Sequence, residues 1–305
     1  MANKRFINIS YSPILPRQYF FFVILCCLPL PPLWADQTSV AATSSRKKQL
    51  RLAPTEHLYS PYLADQKRVT FGLQALYVST SDIPDTGHPR FALRMGGRLE
   101  LFQWYNNTDP QQALQANFEV GFRGHFDASF SQDNIGWDGN YGLLFTYRDN
   151  PVIAWRFGSY HTSSHIGDEY IQRTGRKRIE YTREEVLSGM QINLDRQWQY
   201  YLEAAYGFYI HDGNSQKPKR LQTGIQFQQT DFSAQQRLGW YAGLDLSSYE
   251  ERDWDINKAL QVGFAFAAQP HTWRVAMDFY DGQSVLGEFF QHNERYVGIG
   301  LYLDI

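Results

Sequence analysis

Cysteine is all but absent from this chain. Its 305 residues include two, Cys26 and Cys27, and both fall in one apolar stretch near the N-terminus. A mature protein without that stretch has no disulfide, no thiol nucleophile and no thiolate to hold a metal. Excess charge is lacking as well. Lys+Arg number 29 against 31 Asp+Glu, a formal net charge of -2, with none of the basic bias that nucleic-acid binding calls for. Beyond the N-terminal stretch no run of about 20 apolar residues occurs, and this excludes a multi-span helical membrane protein. Neither that nor a mean hydropathy of -0.47 excludes a membrane β-barrel, whose strands hide their lipid face in every second residue. What is plentiful is aromatic: 20 Tyr, 21 Phe and 8 Trp, with 23 Gly, the composition of a β-rich chain.

The N-terminus reads as a secretory signal peptide over 1–35. Lys4, Arg5 and Arg17 precede an apolar core from Tyr19 to Trp34, and Ala35 offers a small residue before a cleavage ahead of Asp36. Removing those three basic residues leaves 26 Lys+Arg against 31 acids. A cysteine-free, acidic, exported chain fits the outer membrane of a Gram-negative cell. Residues 36–67 are polar, carry Ser44-Ser45-Arg46-Lys47-Lys48 and show no alternation, so they are expected to form a periplasmic N-terminal segment.

From Arg68 the texture changes to short segments of period-two alternation separated by loops rich in Asp, Asn, Gly, Pro and Gln. Over 91–103 the odd positions carry Phe91, Leu93, Met95, Leu99, Leu101 and Gln103, opposite Arg94, Arg98 and Glu100. In 114–123, Leu114, Ala116, Phe118, Val120 and Phe122 oppose Gln115, Asn117, Glu119 and Arg123. The last segment sets Val297, Ile299, Leu301, Leu303 and Ile305 against Tyr296, Gly298, Gly300, Tyr302 and Asp304. Such a terminal strand suits closure of an outer-membrane barrel and handling by the barrel-assembly machinery. Candidate strands lie at 68–78, 90–104, 112–124, 137–148, 152–163, 180–193, 198–210, 219–229, 237–248, 258–268, 272–280 and 293–305. The expectation is an all-β, antiparallel transmembrane barrel of about 12 strands over 68–305, polar face to the lumen and apolar face to lipid.

One dense polar block stands out: Tyr160-His161-Thr162-Ser163-Ser164-His165-Ile166-Gly167-Asp168-Glu169-Tyr170. Ile153, Trp155 and Phe157 are the outward positions of that segment, and the odd series carries His161 and Ser163 onto the same lipid-facing side. Polar groups facing lipid are costly unless they are used. Imidazole beside hydroxyl lets the His act as base while the Ser attacks an ester. A third polar group must orient the ring, and the next segment offers Glu184, or Glu180 if the strand stagger differs. Ser164 and His165 are candidates for substrate contact or support. Asp168 and Glu169 could hold a divalent cation such as Ca²⁺, for which carboxylates are suitable ligands. The bland account of the same block is a strand end capped by His and Ser, followed by a solvated acidic loop.

His161-Thr162-Ser163 resembles the His-x-Ser element of outer-membrane phospholipase A and of the lipid A 3-O-deacylase. Both are barrels with a lipid-facing His–Ser pair, supported by an Asn in the former and a Glu in the latter. Here Ser164 stands where those families have an Asn after the motif Ser, and Glu184 lies farther along the chain than their third residue. A wider resemblance rests on Leu58-Tyr59-Ser60-Pro61-Tyr62-Leu63-Ala64-Asp65, the 160–169 block and Tyr181-Thr182-Arg183-Glu184-Glu185. These are similar to the bacterial family called domain of unknown function 1207, and the likeness implies an exported barrel without an assigned activity.

Arg94, Arg98, Glu100, Glu119, Arg123, Arg148, Arg156, Arg183 and Glu185 fall on the lumen parity. They are expected to form a charged network filling a small barrel, with a selective pore as the alternative. The functional expectation is an outer-leaflet lipid esterase or deacylase acting through His161, Ser163 and Glu184. Its rival is a structural barrel or a small-solute channel. The expected partners are outer-membrane lipids, not nucleic acid.

Overall fold

A computed structural model describes residues 48–106, 109–211, 215–229, 237–268 and 271–304. The expected signal peptide, residues 36–47 and Ile305 lie outside the described residues. The strands are β1 (Lys48–Leu52), β2 (Phe71–Ser81), β3 (Pro89–Asn106), β4 (Asp109–Asp127), β5 (Asp133–Arg148), β6 (Ile153–Ile166), β7 (Thr182–Asn193) and β8 (Trp198–His211). They continue as β9 (Lys219–Gln228), β10 (Leu238–Tyr249), β11 (Ile256–Ala268), β12 (His271–Gln283) and β13 (Asn293–Asp304). From β2 onward each strand pairs antiparallel with the next, and β13 pairs back onto β2, with Leu301 opposite Leu73. That closes the ring and leaves it no free edge for the hydrocarbon to meet. The connections 149–152 and 194–197 are short at the end where β2 begins and β13 stops, although 229–237 at that end is longer. At the opposite end, 167–181 carries the short helix α1 (Asp168–Thr174).

Period-two alternation decides which side chains face lipid. On β13, Ile299 is 62% exposed on the bare wall while Tyr302 is 1% exposed in the lumen. One parity slips. Gln103, expected outward with Leu101, is buried in the lumen, and Trp104 takes the outward place. A bulge between Glu100 and Phe102 puts two residues against one of the partner strand and exchanges the faces beyond it.

The larger difference concerns the N-terminal segment. Residues 36–67 were expected in the periplasm; of these 48–67 are described, and there β1 lies along the ring's rim, paired to the far end of β3 from Lys48–Asn106 to Leu52–Phe102. The chain then enters the lumen. Leu58, Tyr59, Tyr62, Leu63 and Ala64 are all buried there. Three wall glutamines hold the backbone: Leu58 N donates to Gln115 Oε1 at 3.1 Å, Ser60 N to Gln191 Oε1 at 2.9 Å, and Leu63 N to Gln226 Oε1 at 2.9 Å. Gln115 and Gln226 also donate back, to the carbonyls of Glu56 and Pro61, so each carboxamide pairs with the segment as a strand neighbour would. The physical reason is backbone satisfaction. A non-periodic segment among buried side chains must find partners for its N–H and C=O groups, and the lumen wall supplies them.

Charged residues complete the filling. Glu203 binds Arg156 and Arg220; Arg220 reaches Glu185 at 2.7 Å, and Arg183 binds Glu185 at 2.9 Å. Arg123 pairs with Asp138 at 3.2 Å and Arg98 with Glu100 at 2.7 Å. The expected network is therefore present, threaded by the N-terminal segment, and a cavity of about 440 Å³ remains beside it. Across the other end, the 284–292 connection folds inward with Leu286, Phe289 and Phe290 buried.

Candidate active site on the outer wall

Strand β6 runs through Ile166, so Ser163, Ser164 and His165 belong to the wall and not to a loop. Its pleat sends adjacent residues to opposite faces, and this separates the two serines. Ser164 points inward. Its hydroxyl donates to Asp138 Oδ1 at 2.5 Å and accepts from Glu288 N at 2.8 Å, while Asp138 also accepts from Gly287 N at 3.1 Å. Ser164 thus pins the 284–292 connection inside the barrel and is turned away from lipid.

His161 and Ser163 point outward. On one side β7 sets Glu184 opposite His161 and Thr182 opposite Ser163. The Glu184 carboxylate lies 2.5 Å from His161 Nδ1. A carboxylate accepts only, so Nδ1 donates in this pair, and in the neutral ring Nε2 is the nitrogen that can act as a base. On the other side β5 sets Tyr141 opposite His161, the two rings stacked with centroids 4.5 Å apart. The imidazole is therefore fixed in plane by Tyr141 and in rotation by Glu184. Both partners are part-exposed, 17% for the His161 side chain and 28% for Glu184, so the pair is open to the membrane boundary.

Ser163 Oγ has no hydrogen-bond partner among the described residues and does not bond His161. The two residues are two apart on one strand face, about 6.7 Å along the chain, and catalytic hydrogen bonds often close only around substrate. Acyl transfer at this hydroxyl requires it to come within hydrogen-bond reach of His161 Nε2.

The other expected residues separate. Glu180 precedes β7, and its backbone N–H is held by Glu288 Oε1 at 3.1 Å; Glu184, not Glu180, meets His161. His165 shares the outward face and stacks on Trp137 at 4.2 Å. Asp168 and Glu169 stand exposed in the first turn of α1, where Asp168 lies 3.4 Å from Arg178. Among the described residues no group of three or more His, Cys, Asp or Glu is placed to hold a metal ion. Tyr141 and Trp137 were missed from the sequence. They lie in the expected 137–148 strand, but only the β5–β6 register sets them against the histidines.

Comparison with known proteins bears on this arrangement through its frame. A family model described as "Protein of unknown function (DUF1207)" matches residues 29–304. No curated protein matches the chain in sequence. Among solved structures, outer membrane phospholipase A from Escherichia coli superposes with a TM-score of 0.56 at 12% identity, covering 77% of this chain and 92% of that one. The outer membrane phospholipase dimer of Salmonella typhi, with bound calcium, gives 0.53 at 13% identity over 77% and 90%. LpxR from Salmonella typhimurium gives 0.40 at 10% identity over 77% and 100%. At such identities the likeness to the phospholipases is one of fold: the protein is an antiparallel β-barrel of the outer membrane.

Proposed function

The chain belongs to the DUF1207 family, and for this member we propose hydrolysis of an acyl ester of an outer-leaflet lipid at the outer wall of the barrel. The observation that carries the reading is the 2.5 Å contact of Glu184 with His161 Nδ1 on the lipid face, with Ser163 unengaged two residues along. A carboxylate and an imidazole placed against hydrocarbon cost desolvation and do nothing for closure of the barrel. The phospholipase fold supports the reading by analogy alone.

In this reading Ser163 Oγ attacks the acyl carbonyl, and His161 Nε2 takes the hydroxyl proton and returns it to the departing alcohol oxygen. Water, deprotonated by the same nitrogen, then cleaves the Ser163 acyl ester and releases the fatty acid. Glu184 keeps the ring in the correct tautomer and stabilises the imidazolium formed in each half-reaction. Ser164 takes no part, being a lumen residue. Asp168 and Glu169 are left out of the chemistry, because two exposed carboxylates fall far short of the six to eight oxygens a Ca²⁺ takes.

The test is mass spectrometry of outer-membrane lipids from cells producing wild type, Ser163→Ala or His161→Ala. Loss of an acyl chain with wild type alone, and turnover reduced by on the order of 10³-fold or more in each variant, is expected if the residues act as a unit. Identical lipid profiles from three folded proteins would reduce the motif to a strand end.

A further inference from the structure

Ser163 sits in a frame that the proposed chemistry does not by itself require. On β6 it lies between His161 and His165; on β5 the residue opposite it, Gly139, lies between Tyr141 and Trp137. The four flanking rings form two stacks, Tyr141 on His161 at 4.5 Å and Trp137 on His165 at 4.2 Å. Trp137 and Tyr141 are four residues apart, about 13 Å along the strand, so the stacks stand as two walls with a gap one side chain wide. Its floor is bare. A Cβ added at Gly139 would meet only Trp137 Cζ3 at 3.5 Å and Ser163 Oγ at 3.7 Å, ordinary contacts without a clash, whereas the positions before and after it on that face of β5 carry the rings of Trp137 and Tyr141. Across the next strand Phe122, paired with Gly139, continues the upper wall, its ring 5.5 Å from that of Trp137.

We propose that this slot binds one linear acyl chain of the substrate ester, laid across the strands over Gly139 with its carbonyl at Ser163. The proposal rests on the lipid-ester reading and names the part of the substrate that the site selects. The occupant follows from position. The slot is continuous with the wall that meets lipid, it has aromatic sides and no charged group on its floor, and hydrocarbon is the medium that reaches it. A headgroup would have to leave water to enter it, whereas an alkyl chain already in the leaflet moves from lipid contact to ring contact. Gly139 acts as the specificity residue: an outward side chain there starts from a Cβ 3.7 Å from Ser163 Oγ and occupies the path of the chain, with neither His161 nor Glu184 within 4 Å of that Cβ.

Gly139→Leu tests this, since leucine is an ordinary lipid-facing residue and the barrel tolerates it. Hydrolysis of a long-chain ester is expected to fall by about tenfold or more, and that of an acetyl ester to change little. A second readout needs no hydrolysis. In Ser163→Cys, whose only other cysteines are Cys26 and Cys27 near the N-terminus, the new thiol is treated with hexadecyl or methyl methanethiosulfonate and followed on the peptide carrying residue 163. Adding Gly139→Leu should slow the hexadecyl reagent by about tenfold and spare the methyl one. Equal effects on long and short reagents, or none on either, would overturn the slot. A wild type that cleaves no ester while the thiol still discriminates chain length would overturn the lipid-ester reading and leave the slot standing.

Discussion

Two serines side by side on β6 divide the molecule. Ser164 faces a lumen where many polar groups are tied to one another, to the N-terminal segment or to the 284–292 connection. Ser163 faces lipid, carries no hydrogen bond among the described residues, and has beside it a histidine oriented by a glutamate. In the lumen, charge is consumed in holding the filling together. On the wall, a small amount of charge is kept where nothing structural asks for it. The difference teaches where to look for chemistry in such a barrel: the functional candidate is the sparse polar group on the apolar face, not the dense network within.

The largest expected effect of breaking this contrast is on the lumen side. Glu203→Ala removes the carboxylate shared by Arg156 and Arg220, leaving two buried guanidinium groups short of a partner. Loss of one member of a buried ion pair costs about 3–5 kcal/mol. The temperature at which the folded band converts to the unfolded band on a semi-native gel should drop markedly, whereas Glu184→Ala on the wall should leave it nearly unchanged. A next, smaller effect comes from fixing the segment in place. A Cβ at Gly243 would lie 3.3 Å from Ala64 Cβ, close to the spacing of a disulfide. Ala64→Cys with Gly243→Cys should cross-link on oxidation and stabilise the barrel by about 2–4 kcal/mol. A segment in the periplasm would leave both thiols free. Planar bilayers holding the cross-linked protein should show little conductance, and large steady channels would favour the solute-channel reading. The smallest effect is expected at the rim: Asp168→Ala with Glu169→Ala should change folding by no more than about 0.5 kcal/mol, read by the same gel, and leave ester turnover unaltered.

The barrel was legible because closure against lipid imposes a period of two on every crossing strand, and β13 displays it from Tyr296 to Asp304. The site was legible as far as that period reaches: it put His161 and Ser163 on one face but left Glu180 and Glu184 both open. Register decides between them, and register is a property of two strands, set here by the pairing that runs from Ile153–Ile192 up to Ser163–Thr182. The bulge beside Leu101 defeated parity at Gln103 because one inserted residue leaves no mark in composition. The lumenal course of 53–67 was illegible for a different reason. It is held by carboxamides from β4, β7 and β9 that are distant in sequence, and such contacts have no period along the chain.

The most direct measurement sets the adjacent serines against each other in one experiment. Wild type, Ser163→Ala and Ser164→Ala are folded into lipid–detergent micelles, and each is assayed for fatty acid released from a long-chain phospholipid or lipid A and for its unfolding temperature. Ser163→Ala should lose turnover by on the order of 10³-fold at an unchanged unfolding temperature. Ser164→Ala should keep the chemistry while losing about 1–3 kcal/mol, the cost of stranding Glu288 N–H and removing one of the hydrogen bonds to Asp138. Full turnover in Ser163→Ala, or loss of turnover in Ser164→Ala without loss of stability, would contradict the division of the barrel into a structural lumen and a reactive outer wall.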